Sequence, residues 1–377
     1  LKSIAICTVG ELFGGVERHV LAMLRALPAQ GISVLPILFH NGELAARMRE
    51  LGIEPVILPD DNIRLIRTSK QLARLLQERG IQIVHAHGYK ATVCCALARR
   101  WHPFALVKTE HGLPEHGAAY SPGALRSRLY HSLDRLATNR SRATLCYVTQ
   151  DLLTRDRGLR PGVAVHVVRN GTSEMDPRQW ARPTEFRSGR FNALTLGRLE
   201  PVKALHLAID AICARDLPPD VHLHIIGSGP CEGALRKRSD SLGVASRVHF
   251  LGYRRDIYGF IAHCDALLIP SMHEGLPYTV LEAMALGRPI IATRVGGLAE
   301  VLEHEVTALL VPSLDVGAIV HAIARLHDSP ELGVRLGAQA QRVQRALYSL
   351  RAMSEHYQEI YRTVLPGGRP AVAPESR

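Results

Sequence analysis

No stretch of this 377-residue chain holds the ~20 consecutive apolar residues of a membrane-crossing helix. Its first apolar run is also too short for the core of a signal peptide. The chain begins on Leu1 rather than Met, which leaves room for a short leader ahead of it. Aromatic residues make up only 5%, and the interleaving of basic and aromatic side chains that marks RNA-binding modules is missing. The seven cysteines (Cys7, Cys94, Cys95, Cys146, Cys213, Cys231 and Cys264) include no C-x-x-C pair, and most lie inside apolar segments. That fits buried reduced thiols in a cytoplasm far better than a disulfide framework or a zinc site.

What is present is material for two cores. Hydrophobic residues make up 46% and charged residues 21%, with mean hydropathy near zero. The length suits two ordinary domains. The net charge of +11 is unevenly placed: residues 1–170 carry 23 Lys and Arg against 13 Asp and Glu, a net of +10, which leaves +1 for the remainder. Such a basic first half suits an anionic partner, whether a phospholipid surface, a phosphorylated acceptor or a nucleic acid. Arginine-rich coding from a GC-rich genome would leave the same excess.

Two strand–helix series run along the chain. Short β-branched or aliphatic runs predict strands at 3–9, 33–39, 55–58, 81–85, 105–109, 143–148 and 163–168. Helical spacing places Val16, Val20, Met23, Leu24 and Leu27 on one face, and 66–77 repeats the pattern. A polar stretch over 172–190 reads as a linker. Strands then recur at 193–196, 222–226, 248–251, 266–269, 290–293 and 308–311, with helices near 204–214, 232–242, 257–263, 278–286 and 318–326. One long helical region follows over 332–364. This alternation predicts an α/β fold of two Rossmann-like, doubly wound parallel-sheet domains, 1–171 and 191–377, facing a cleft, with the last helix packing back on the first domain.

Four segments of the second half carry chemistry. GRLEPVK, from Gly197 to Lys203, follows a strand and precedes a helix. Arg198 offers a bidentate fork, Lys203 a point charge and the helix start its N–H donors, a set suited to a diphosphate. Taken alone the segment reads equally as a solvated basic loop. IIGSGP places Gly227 and Gly229 at a strand end, where a ligand can approach the backbone. Pro230 breaks the dinucleotide fingerprint, and a lone G-x-G is more often a tight turn. PSMHEGLPYTVLEAMALG sets Glu274 in a loop and Glu282 eight residues on, about one turn into a helix. Each carboxylate can accept hydrogen bonds from hydroxyls of one polyhydroxylated ligand. Backbone N–H groups of Gly275 and of the helix start lie between them, with Leu276 and Tyr278 beside them. RVGGLAE, Arg294–Glu300, closes the rim.

These segments resemble the retaining GT-B glycosyltransferases of family 4. The likeness runs from GRLEPVKA through IIGSGP and FLGYRRD to PSMHEGLPYTVLEAMALGRPIIATRVGG, and the E-x(7)-E spacing is its most specific mark. FGGVERHV at Phe13 and TEHG at Thr109 extend it into the first half. The resemblance implies that Arg198 and Lys203 bind the donor diphosphate, Glu274 the transferred sugar and Glu282 the ribose. It places Gly14 and Gly15 at the donor phosphate or acceptor, His111 beside the reacting carbon, and the turn at Tyr253, Arg254 and Arg255 against the base. His116 is a nearby alternative to His111.

The activity so implied is transfer of a hexose-type sugar from a UDP- or GDP-sugar to a glycan or lipid-linked acceptor in bacterial cell-envelope polysaccharide synthesis. No Asp-x-Asp motif stands in a suitable loop, so neither metal nor cofactor is implied. No carboxylate presents itself as a covalent nucleophile, which favours front-face displacement. Two other classes compete: a nucleotide-sugar epimerase of the same fold, and a non-catalytic binder of nucleic acid or another anionic ligand. Over 121–142, Leu125, Leu129, Leu133 and Leu136 form a stripe among Arg126, Arg128, Arg135, Arg140 and Arg142. That stripe reads either as a basic face lying on an anionic bilayer or as a helix packed on its own sheet.

Overall fold

The computed structural model describes residues 3–11, 13–58, 65–112, 122–156 and 162–365, with the backbone alone over 122–130. The chain forms two compact units, Leu1–Gly171 with Leu350–Arg377, and Thr172–Ser349.

The first unit is built on seven strands: β1 (Ser3–Thr8), β2 (Ser33–Leu38), β3 (Val56–Ile57), β4 (Ile83–His87), β5 (Ala105–Glu110), β6 (Thr144–Tyr147) and β7 (Val165–Val167). They lie in the order β3-β2-β1-β4-β5-β6-β7, and every pair is parallel. Helices α1 (Gly15–Ala26), α2 (Glu43–Glu50), α3 (Leu65–Glu78), α4 (Tyr89–Ala98), α5 (Pro122–Ser141) and α6 (Gln150–Arg155) connect them. Ile4, Ala5, Ile6 and Cys7 are all fully buried. An uninterrupted apolar run of this kind is what a strand covered on both faces requires. The strand expected at 81–85 instead runs Ile83–His87, because its ladder with β5 pairs Ile83 with Ala105 and continues to His87 with Thr109. That shift puts His87 at the carboxyl end of a central strand.

The second unit holds β8 (Phe191–Leu196), β9 (Val221–Ile226), β10 (Val248–Gly252), β11 (Ala266–Ile269), β12 (Ile290–Thr293) and β13 (Leu309–Val311). Their order is β10-β9-β8-β11-β12-β13, again all parallel. Its helices are α7 (Leu205–Cys213), α8 (Glu232–Ser241), α9 (Ile257–His263), α10 (Tyr278–Ala285), α11 (Gly296–Val301), α12 (Val316–Asp328) and α13 (Pro330–Leu347). Residues 172–190 belong to this unit: Phe186 is buried with its ring edge-on to His224 and Phe260.

The helical region expected over 332–364 is two helices, α13 and α14 (Leu350–Thr363). Tyr348 leaves the helix at φ −125° and ψ 25°, and its carbonyl accepts the Thr172 N–H at 2.9 Å. Gln344 locks the break by donating from Nε2 to the carbonyls of Thr172 and Tyr348. Helix α14 belongs to the first unit. There Gln358 Nε2 donates to the Gln30 carbonyl at 2.9 Å, and Tyr357 and Tyr361 are fully buried. Among the described residues no helix is long and apolar enough to cross a membrane.

Candidate active site

In each sheet the strand order reverses beside the first strand of its unit, between β1 and β4 and between β8 and β11. Loops leaving the carboxyl ends of such neighbouring strands diverge and open a crevice, where ligands of doubly wound sheets bind.

In the second unit the β8 loop carries Gly197 to Lys203 and the β11 loop carries Pro270 to Pro277. A backbone hydrogen bond from Met272 N–H to the Val202 carbonyl, 2.8 Å, ties the two loops together. Lys203 Nζ donates to both oxygens of Glu274, at 2.7 and 2.9 Å. Ser271 Oγ donates to Oε1 of the same carboxylate at 2.6 Å. Glu274 is only 8% exposed, so these donors hold in place a charge that burial alone would disfavour. Its carbonyl is fixed as well, accepting the Gly297 N–H at 3.0 Å. Gly296 has φ +46°, and a Cβ there would stand 2.2 Å from that carbonyl, so no other residue fits.

Arg198 lines the same small pocket as Gly197, Lys203, Ser271 and Glu274. Its side chain is 68% exposed and ion-paired with Glu200, so it stands apart from the Lys203–Glu274 pair. Glu282 sits in α10, buried, with the Tyr258 hydroxyl donating to Oε1 at 3.3 Å. Leu276 and Tyr278 are buried around the start of the same helix, and Gly275 is half-buried.

Gly227 has a different reason for being glycine. At φ +144°, its Cβ would lie 1.8 Å from the Gly197 carbonyl oxygen, and one on Gly229 would lie 2.6 Å from that of Leu199. The β8 and β9 loops press backbone to backbone, joined by Gly197 N–H to Ile226 O and Leu199 N–H to Ser228 O. The missing side chains therefore serve the chain's own packing and hold the GRLEPVK loop in place. Arg254 is likewise engaged within the chain, donating to Glu185 at 2.6 Å.

In the first unit Gly14 caps α1, and its N–H donates to the Glu17 carboxylate at 2.9 Å. Burial raises the pKa of Glu17 despite this bond and the backbone donor of Glu17 itself. A Cβ on Gly15 would meet nothing within 4 Å, so internal packing does not demand glycine there. His111, just beyond β5, is half-buried. His116 lies outside the described residues.

Among the described residues, His111 is one of four clustered histidines. His87 Nδ1 is 3.1 Å from His111 Nε2. His19 on α1 is bonded through Nδ1 to Asn170 Oδ1 at 2.9 Å and through Nε2 to the Tyr357 hydroxyl at 3.1 Å. His85 contacts Tyr361 and Thr109, each at 2.7 Å. Burial lowers the pKa of His19 to about 4. Burial first, and then repulsion among the rings, holds His85, His87 and His111 well below the ordinary histidine range. The rings are therefore neutral at physiological pH and act as hydrogen-bonding and ligating groups. Sequence reasoning reached His111 alone. The signal for two others was the His-x-His spacing of residues 85 and 87, which places both on one face of a strand.

Comparison with known proteins agrees with this architecture. Residues 190–329 match the model of "Glycosyl transferases group 1" and residues 13–174 that of "Glycosyltransferase Family 4". The chain is 30% identical over 256 residues to the lipopolysaccharide core biosynthesis glycosyltransferase LpsD of Rhizobium meliloti, covering 68% of this chain and 73% of LpsD. It is 25% identical over 345 residues to an Escherichia coli UDP-Gal:α-D-GlcNAc-diphosphoundecaprenol α-1,3-galactosyltransferase, covering 86% and 87% of the two chains. Among solved structures, Anabaena HepE in complex with UDP-glucose superposes with a TM-score of 0.80 at 21% identity, covering 95% of this chain and 99% of HepE. The chain belongs to the family 4, group 1 glycosyltransferases of the GT-B fold.

Proposed function

We propose that this protein is a retaining, metal-independent hexosyltransferase. It moves a sugar from a UDP- or GDP-sugar to a glycan or lipid-linked acceptor in the assembly of a bacterial envelope polysaccharide, on the cytoplasmic side. The observation that carries the reading is the Lys203–Glu274 pair, its carboxylate buried, with its Ser271 donor at the β8/β11 switch point. HepE, of the same fold, has been solved with UDP-glucose, and the two named relatives act in lipopolysaccharide core synthesis and on a diphosphoundecaprenol acceptor.

In this reading a diphosphate entering the pocket draws Lys203 toward its oxygens. Glu274 then accepts hydrogen bonds from hydroxyls of the transferred sugar. Arg198, exposed on the same rim, swings onto the diphosphate as a second cation. Glu282 accepts from the ribose, and the backbone around Arg254 borders the base. His111 lies beside the reacting carbon, and Gly14 and Gly15 allow close backbone approach. As the bond from the anomeric carbon to the diphosphate breaks, fixed cations and helix-terminal N–H groups meet the developing charge. The departing phosphate oxygen takes the acceptor hydroxyl's proton while that hydroxyl's oxygen attacks from the same face.

Peripheral attachment to the membrane has its own support. On α5, Leu133 and Leu136 are 42% and 44% exposed, whereas Asp134 and Thr138 on the same helix are buried. Among the described side chains of α5 the buried ones are thus polar, with Lys108 of β5 donating to Asp134 at 2.6 Å, and the exposed leucines stand beside exposed arginines. The side chains of Leu125, Arg126, Arg128 and Leu129 lie outside the described ones.

The direct test is to incubate the chain with UDP- and GDP-hexoses and diphosphate-lipid acceptors, with and without EDTA, and to read the product by NMR. The expected product keeps the donor's anomeric configuration and forms equally with EDTA. An inverted product, or a strict requirement for Mn²⁺ or Mg²⁺, overturns the reading.

A further inference from the structure

We propose that His19, His87 and His111 form a binding site for one divalent transition-metal ion of the zinc class, each ring giving one nitrogen. Their ligand atoms all lie within 4.8 Å of one another, at the carboxyl edge of the first sheet beside the β1/β4 switch point. Zn–N bonds of about 2.0–2.1 Å set tetrahedral ligands roughly 3.4 Å apart. The 3.1 Å between His87 Nδ1 and His111 Nε2 shows how closely these two rings already approach, and ring rotations can bring the unpartnered His87 Nε2 and the His19 ring to the same point.

Two further observations point to a ligand. Fully buried His87 keeps a ring nitrogen, Nε2, that has no hydrogen-bond partner among the described residues. Buried polar atoms left in that state are uncommon, and each calls for an explanation. His19 is oriented from behind, its Nδ1 bonded to Asn170 Oδ1 at 2.9 Å, the outer-shell arrangement that fixes the tautomer of a ligating histidine. Its Nε2 meets the Tyr357 hydroxyl, which can turn to Thr109 Oγ1, 3.0 Å away, when an ion takes the lone pair. His85, bonded to Tyr361 and Thr109, is not among the three rings whose ligand atoms converge. Three neutral imidazoles select Zn²⁺, Co²⁺, Ni²⁺ or Cu²⁺ over the oxygen-seeking Mg²⁺ and Ca²⁺.

The functional consequence rests on the reading proposed above, in which His111 faces the donor sugar. An ion that captures the His111 ring withdraws it from the sugar, so the site is inhibitory and separate from any metal need of the transfer step.

The test uses the full chain stripped with chelator and titrated with Co²⁺ alone. Visible d–d absorption reads tetrahedral binding, and Zn²⁺ then serves as competitor. One ion per chain is expected. At least tenfold weaker binding is expected in H87A and in H111A, and unchanged binding in H249A, which alters the His222–His249 contact of the other unit. Should H87A fail to fold, H111A, altered at a half-buried position outside any strand or helix, decides the matter. Wild-type protein binding Co²⁺ no more tightly than H111A overturns the site. Tight binding at wild-type His111 with no loss of transferase activity leaves the metal site standing and overturns the placement of His111 at the sugar.

Discussion

Lys203 Nζ lies 2.7 and 2.9 Å from the two carboxylate oxygens of Glu274, though 71 positions separate them in the chain. The two groups assigned to diphosphate and sugar thus hold one another before any donor arrives. Lys203→Ala should lower kcat/KM by about 30- to 1000-fold, the cost of some 2–4 kcal/mol of lost transition-state stabilisation. It also leaves Glu274 without its cation. Because a quarter of the Lys203 side chain is exposed, the stability cost should be about 1–2 kcal/mol, below that of a fully buried pair. Adding Glu274→Gln should cost less in thermal stability than the two single changes summed. Additive losses would mean that the pair is not coupled.

Glu282→Ala removes a buried carboxylate assigned to the ribose. The expected result is a similar 30- to 1000-fold fall in kcat/KM, with a native circular dichroism spectrum. Wild-type turnover by this variant would remove Glu282 from the site.

A pH dependence follows from His224, buried on β9 with Asn192 Oδ1 at 3.1 Å from Nε2. Burial, then repulsion from His249, His222 and Arg190, lowers its pKa from 6.5 to about 3. Between those values the unfolded chain binds a proton there and the folded chain does not, so the contribution to stability is whole above pH 6.5 and falls as pH drops toward 3. In H224Q the decline of Tm between pH 6.5 and 4 should be shallower than in the wild type. Parallel curves would show that His224 does not couple folding to protons.

Exposed Leu133 and Leu136 beside Arg135 and Arg140 on α5 predict co-sedimentation with vesicles containing anionic lipid at low salt. Each near-surface basic group should contribute about 1 kcal/mol. Binding should fall at high salt and in the double variant L133S/L136S. Absence of binding at low salt, or indifference to anionic lipid, would make the acceptor a soluble molecule.

Much of this was legible because it is local. Strand–helix alternation and the eight-residue step from Glu274 to Glu282 both survive in the order of residues. What was hidden depends on partners distant in the chain. The break at Tyr348 is invisible in helical periodicity because it is made by Thr172, and the strand at 81–85 moved to 83–87 because β5 sets its register. The demand for glycine at 227 comes from the Gly197 carbonyl pressed against it, which no local pattern announces. Tyr357 and Tyr361 reach the histidines only because α14 packs within the first unit.

The central claim, a nucleoside-diphosphate site at the β8/β11 switch point built around Lys203, is tested most directly by thermal shift against UDP, GDP and ADP. A ligand that binds only the folded state at a hundred times its Kd adds about 2.7 kcal/mol. The wild type should therefore melt several degrees higher with one of UDP or GDP, and Lys203→Ala should lose most of that rise. No shift with any of the three, or an equal shift in Lys203→Ala, would contradict the account.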